Sequence, residues 1–400
     1  MSVTRRLLLA SAGVLAAPAL IRAQGAAPIR IGEINSYTAI PQFTLPYRKG
    51  WELAVAEINA KGGVLGRPLE VISRDDAGKP QDAVRFAGEL IDDQKVDILG
   101  GTFLSHVGLA VSDFALQRKK LFVGSEPLAD ALVWEKGHRY GYRLRPSTYM
   151  QAAMLVEEAA KLPAKRWATV APNYEYGQSA VKWFKTLLSA QRPDVSFVDE
   201  QWPALNKIDA GATVQALAAA KPDAIFNVTF GADLTNFVRQ GNTRGLFEGR
   251  AVASMLTGEP EYLEPLGEET PTGWLVTGYP GEAVETPANK AFIAAYKEKF
   301  NEIPKMGSVV GYAFIRGIAA GLSKSASTDS ERMADGFAGA TFETPIGAAM
   351  FRPLDHQSTL GTYVGKTALR DGKGMMTDWR YADGAKYLPG DDAVRKMRPG

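Results

Sequence analysis

No cysteine occurs among the 400 residues of the chain. Disulfides, thiolate metal sites and a lipid-modified cysteine are all excluded by that one absence. Only three histidines are present, His106, His138 and His356, and none stands in a His-Glu-x-x-His zinc pattern. A glycine-rich phosphate loop ending in Lys-Ser/Thr is missing, and so is the Gly-x-Ser-x-Gly elbow of hydrolases. Neither sign of charge dominates, for 46 Lys and Arg meet 44 Asp and Glu, a formal +2. Setting aside Arg5, Arg6 and Arg22 of the N-terminal segment takes the balance three charges down, to −1. Such a near-neutral chain has no footprint for nucleic acid or another polyanion. Beyond that segment no apolar run reads as a membrane span.

What is present begins with an export leader over residues 1–23. Arg5 and Arg6 form a basic start, an apolar run follows from Leu7 to Leu20, and Ala23 closes it. These are the three regions of a secretory signal, cleaved near Ala23. The run is too short and alanine-rich to cross a bilayer, which takes about 20 apolar residues. Thr4-Arg5-Arg6 ahead of three leucines also fits a twin-arginine address. A buried N-terminal helix is the competing reading, but no amphipathic period or cap supports it. The expected location is the periplasm, as a soluble protein.

After the leader, apolar strands alternate with amphipathic helices. Residues 29–34 read as a strand, 35–47 as an irregular loop and 49–60 as a helix stopped by Gly62-Gly63. Helices follow over 81–93 and 107–118, with strands over 96–99 and 121–123. A second series runs through helices 150–161, 177–190, 212–220 and 234–241. Its strands are 167–171, 196–200, 224–228 and 251–254. Strands spaced by helices of this length predict parallel sheets with right-handed crossovers, and two series predict two lobes. A strand at 274–277 and helices at 289–300 and 309–323 exceed what one lobe holds. The stretch from Phe342 onward is short, extended and glycine-rich.

Ligands of open parallel sheets bind beyond the carboxyl ends of the strands, so four loops matter. They are 35–47 with Tyr37, Phe43 and Tyr47; 100–106, Gly-Gly-Thr-Phe-Leu-Ser-His; 124–127; and 172–178, with Tyr174 and Tyr176. In the second, two glycines permit a tight turn, and Thr102 and Ser105 offer hydroxyls at a helix N-terminus suited to a carboxylate. Ser105 reads equally as a plain N-cap. The aromatics Phe43, Tyr149, Tyr174, Tyr176 and Phe230 are candidates for an apolar wall with polar tips, although any one alone reads as core. Asp75-Asp76 has no further ligand at metal spacing and reads as a loop device. His106 follows Ser105 directly, and neighbours at a helix start do not face one another, so a hydrolase is disfavoured. The expectation is no enzyme, no metal and no cofactor.

The chain resembles the type I periplasmic substrate-binding proteins of ABC transporters, the branched-chain amino acid-binding group. The likeness covers nearly all of the chain after the leader. It is carried by Ala54-Val55-Ala56-Glu57-Ile58-Asn59-Ala60-Lys61-Gly62-Gly63, Arg74-Asp75-Asp76, Gly101-Thr102-Phe103-Leu104-Ser105 and Tyr142-Arg143-Leu144-Arg145-Pro146-Ser147. Tyr176-Gly177-Gln178, Arg239-Gln240, Gly311-Tyr312-Ala313 and Asp355-His356-Gln357 extend it. The resemblance implies two Rossmann-like, doubly wound α/β lobes joined by a three-crossing hinge and closing like a clamp. The first lobe would take residues 28–146 and 278–350, the second 147–277 and 351–400.

It further implies that Ser105 and the backbone at Ser125-Glu126 hold a ligand carboxylate. Phe43 would pack on the ligand's side chain, and Tyr176 and Phe230 would complete the wall. Glu259 would pair with an ammonium. The chain departs from the family at Glu126-Pro127, where a threonine that often contacts the carboxylate is replaced and a charge arrives. A carboxylate beside a carboxylate is unfavourable, so an aromatic acid, an amide or a urea-like solute stands beside an amino acid. The implied partners are that small ligand and a membrane permease, with the receptor itself a monomer. A ligand-sensing module for a signalling partner is the other role such a clamp can fill. A transcription repressor with similar lobes is disfavoured, because there is a leader and no basic helix-turn-helix.

Overall fold

A computed structural model describes residues 26–398; the leader lies outside them. In chain order, β1 (Ile29–Asn35), α1 (Pro41–Ala60), β2 (Leu69–Asp75), α2 (Pro80–Asp92), β3 (Ile98–Gly101), α3 (Ser105–Gln117), β4 (Phe122–Gly124) and β5 (Gly141–Arg143) build one five-stranded parallel sheet, ordered β2-β1-β3-β4-β5. The chain then enters a second series: α4 (Thr148–Ala159), β6 (Arg166–Val170), α5 (Glu175–Gln191), β7 (Ser196–Gln201), α6 (Ala210–Ala220), β8 (Ala224–Asn227), α7 (Gly231–Thr243), β9 (Ala251–Gly258), α8 (Pro260–Leu266) and β10 (Leu275–Gly278). The order β7-β6-β8-β9-β10 repeats that of the first sheet. Each sheet reverses direction beside its first strand, which opens a crevice at the strand ends.

The remaining chain serves both lobes. Helices α9 (Pro287–Phe300), α10 (Met306–Ser325) and α11 (Ser330–Phe337) and the hairpin β11 (Thr341–Thr344)–β12 (Gly347–Met350) follow, and α9 and α10 lie against α1. Strands β13 (Thr362–Arg370) and β14 (Lys373–Ala382) then join the second sheet antiparallel beside β10, and α12 (Asp391–Met397) ends the described chain. The second sheet is therefore mixed, not wholly parallel as the alternation predicted.

The structure corrects two further expectations. Helix α1 starts at Pro41 and not near Lys49, so Phe43 and Tyr47 lie on its first turns and not on a loop. Pro41 takes the first helical position, where its missing N–H costs nothing, and Pro46 is carried inside the helix. In the tail, residues 351–358 pack on the first lobe: Arg143 pairs with Gln357, and the Trp134 indole N–H donates to Asp355 at 3.0 Å. Residues 391–398 return there too, for Arg398 donates to the carbonyls of Val133, His138 and Asp355. Residues 351–358 and the end of the described chain thus contact the first lobe, where the expectation put 351–400 in the second. Finally, α10 has the length and hydropathy of a membrane span, but 72% of that window is buried. Its apolarity is that of a core helix.

The α1–α10 crossing is unusually close. A Cβ added at Gly50, Gly307 or Gly311 would meet the backbone oxygen of Ser308, Phe43 or Tyr47 well inside the 3.0 Å that real Cβ atoms keep. Glycine is required at all three because the two backbones touch, and this contact fixes the start of α1 beside the crevice.

Candidate functional site

The first lobe presents its polar groups through two tight turns. Between β3 and α3, Gly101 and Thr102 have φ of +94° and +63°, and a side chain on Gly101 would stand 2.5 Å from the Ile34 carbonyl oxygen. This turn delivers Phe103 and Ser105 to the crevice. The Ser105 hydroxyl accepts from the Ala129 N–H at 3.2 Å, which leaves its own proton free to donate. After β4, the N–H groups of Ser125 and Glu126 are held by the carbonyls of Gly101 and Thr102, and Glu126 turns inward with Leu128. Arg145 stands two residues past β5, where the chain leaves for the second lobe.

From the second lobe, Tyr174 and Tyr176 come at the start of α5 and Phe230 at the start of α7. Leu256 has a φ of +68°, a strained backbone for a branched residue. Together with the first-lobe groups these residues line a narrow pocket whose free space, about 20 Å³, holds little more than a water-sized molecule. Aromatic rings run round it. Phe103 meets Phe230 at 6.1 Å between centroids, Tyr176 meets Phe230 at 5.7 Å, and the His106 ring meets Tyr174 at 5.4 Å.

At its base one guanidinium bridges the lobes. Arg145 donates to Glu126 of the first lobe at 2.8 Å and to Glu259 of the second. All three side chains are at most 2% exposed. Burial penalises both acids: it pushes Glu126 up to about 8, against the pull of Arg145, and raises Glu259 likewise. Burial also works against the charge of Arg145, but the two carboxylates outweigh it and hold the guanidinium protonated. Four buried polar atoms here have no partner in the protein: Glu126 Oε1, Glu259 Oε2, Arg145 Nε and the Tyr176 hydroxyl. Each such group costs about 1–3 kcal/mol unless something pairs with it.

Of the residues singled out in the sequence, Ser105, Glu126, Tyr176 and Phe230 line this pocket, and Glu259 reaches it through Arg145. Phe43 lies one layer behind, packed edge-on against Phe103 at 5.1 Å and beneath the Arg145 guanidinium. Thr102 and Ser125 are not at the wall: the Thr102 hydroxyl donates to Gly101 and that of Ser125 to Thr102. Tyr149 sits apart, in a cluster with Trp134 and Trp183. Asp76 binds the Ser36 hydroxyl and the Gly78 N–H, the work of a loop device. Phe103, Leu128, Arg145 and Leu256 were not among the predicted site residues, although Phe103 and Arg145 stand within the motifs that carry the resemblance. An arginine two places from another arginine reads as surface charge, and only the burial of both reveals its role.

The two-lobed sheet order and the cleft at the strand ends agree with a family model described as periplasmic binding protein, which matches residues 28–373. The chain belongs to the periplasmic binding protein family. This binding protein is 27% identical over 293 residues to the Leu/Ile/Val-binding protein homolog 7 of Brucella suis, across 69% of this chain and 72% of that one. It is also 27% identical over 282 residues to the Leu/Ile/Val-binding protein of Escherichia coli, across 69% and 74%. Among solved structures, a solute binding protein of an ABC transporter from Rhodopseudomonas palustris, in complex with 3,4-dihydroxybenzoic acid, superposes with a TM-score of 0.79 at 25% identity, covering 89% of this chain and 98% of that one. A Streptococcus pneumoniae branched-chain amino acid binding protein in complex with isoleucine superposes at 0.77 and 20% identity, covering 89% and 99%. This binding protein is thus the solute-binding component of an ABC transporter and not an enzyme.

Proposed function

We propose that this protein is an exported, monomeric receptor that takes a small amino acid or other small carboxylate into the inter-lobe cleft and delivers it to a membrane permease in the periplasm. One observation carries the reading. Unpaired buried donors and acceptors on Glu126, Arg145 and Tyr176 meet a ring of aromatic side chains in the cleft between the lobes. Polar groups with no partner in the protein are supported by a ligand that supplies one. The Ser105 proton and the first N–H groups of α3 suit a carboxylate, and Phe103, Tyr174, Tyr176 and Phe230 suit the apolar remainder. Closure of the cleft draws only on binding energy.

The density of aromatics also favours an aromatic acid, and the Rhodopseudomonas relative was crystallised with one. The test is the melting temperature of the mature protein against amino acids, aromatic acids, amides and urea. A ligand at 100 times its dissociation constant adds about 2.7 kcal/mol of stability. A rise with one class and none with the others identifies the ligand class. No rise with any small solute at millimolar concentration refutes the proposal.

A further inference from the structure

We propose that Arg145 determines which ligands this cleft accepts: its guanidinium occupies the place a ligand ammonium would take between the acids, so the protein selects small carboxylates or amides that lack an ammonium group. The inference rests on the cleft reading above and narrows it.

Glu259 is the acid that an amino acid's ammonium would seek. In the structure it is already bonded to Arg145, and so is Glu126. One cation therefore serves two carboxylates in a place closed to water. Burial pushes both acids up, so the site does not hold two free negative charges beside its one guanidinium. An incoming ammonium reaches the free oxygens Glu126 Oε1 and Glu259 Oε2 only beside a fixed guanidinium that already pairs with both acids, and buried like charges cost several kcal/mol. An incoming carboxylate or amide oxygen finds donors instead: the unpaired Nε–H of Arg145, the Ser105 hydroxyl, and the Glu126 carboxyl in its protonated form. Arg145 cannot swing aside cheaply. Its plane lies over the Phe43 ring at 5.7 Å, and withdrawal would leave two carboxylates facing each other across the lobes. The guanidinium is also fixed at the hinge, on the segment joining β5 to α4, so the charge is present in every closed state.

The experiment is calorimetric titration of the mature protein at pH 7 with matched pairs differing only in the amino group: leucine with 4-methylpentanoate, and phenylalanine with 3-phenylpropionate. Benzoate and benzamide extend the series. The expected result is that the member without the amino group binds at least about tenfold more tightly in at least one pair. Tighter binding of the amino acid in every pair where either member binds overturns this inference and leaves the solute-binding reading intact. No binding by any compound overturns both. Arg145→Met is the second arm, combined with Glu126→Gln so that a buried acid is removed with the cation. In that double variant Glu259 is released, and the amino acid should gain at least about tenfold relative to its partner. A folded double variant that keeps the wild-type preference overturns the role assigned to Arg145.

Discussion

Replacing Gly311 with alanine should destabilise the protein, although alanine is the better helix former. In an open helix position the exchange gains about 0.5–1 kcal/mol. At Gly311 the new methyl would press on the Tyr47 carbonyl oxygen and stand 3.0 Å from the Trp51 nitrogen. The obstacle is backbone and not the tip of a side chain, so neither partner can rotate away. Helices α1 and α10 would have to separate along a crossing that buries Tyr47, Trp51, Val310 and Phe314. Overpacking of this kind costs about 1–3 kcal/mol and sometimes more. Because rotamer relief is unavailable, the upper end applies, and the net loss after the propensity gain is about 2 kcal/mol. Gly88→Ala is the control. Gly88 lies within α2, and its Cβ would meet nothing nearer than the Phe114 ring at 3.8 Å. That variant should gain stability. Urea unfolding followed by circular dichroism separates the two. Equal gains from Gly311→Ala and Gly88→Ala would refute the backbone contact.

Other outcomes follow from the buried charges. Glu261 of α8 accepts from the Gly307 N–H at 2.6 Å and the Met306 N–H at 3.3 Å, which caps α10 from the opposite lobe. Glu261→Ala should lose about 1–3 kcal/mol per orphaned donor in urea unfolding, and an unchanged midpoint would exclude the cap. Burial pushes Glu126 and Glu261 up to about 8 from 4.5. Across that window the folded protein holds protons that the unfolded chain has released, so each acid makes stability fall as pH rises, by at most about 1.4 kcal/mol per pH unit. Melting temperatures from pH 5 to 8 should fall less steeply in Glu126→Gln than in wild type, and parallel curves would count against it. Arg398→Ala strips a donor from the carbonyls of Val133, His138 and Asp355 and should cost about 1–3 kcal/mol by urea unfolding. A variant within experimental error of wild type would show that the tail is not anchored.

Much of the scaffold was written in local pattern. The apolar stripe of α2, with Ala87 and Leu90 fully buried, is read directly from its spacing. The two series of strands repeat one sheet order because each strand–helix alternation fixes its own crossover. The first turns of α1 were obscured because Pro41 and Pro46 look like loop residues until one asks which N–H groups a helix start can spare. The β13–β14 hairpin did carry a signal. Asp371 and Gly372, at φ of +51° and +71°, make the two-residue turn that Asp-Gly prefers between strands. It was hidden by polar flanks on a sheet edge. Glu126 was visible as a departure from the family, but its partner was not. Arg145 and Glu259 meet across 114 residues, and no local pattern specifies a bond between loops of different lobes.

The close crossing of α1 and α10 also sets an order of assembly. Tyr312 of α10 donates to Glu57 of α1 across 255 residues of chain. Loop closure over such a span grows in cost only as the logarithm of its length, so the finished lobe loses little by it. Time is what it loses, since contacts distant in sequence form slowly. Until α10 arrives, the face of α1 around Gly50 has nothing to lie against. Until α1 is free to receive it, this long apolar helix is a sticky segment in search of a partner. A cell making this protein must shield Met306–Ser325 during that interval, and aggregation from a refolding mixture should begin there.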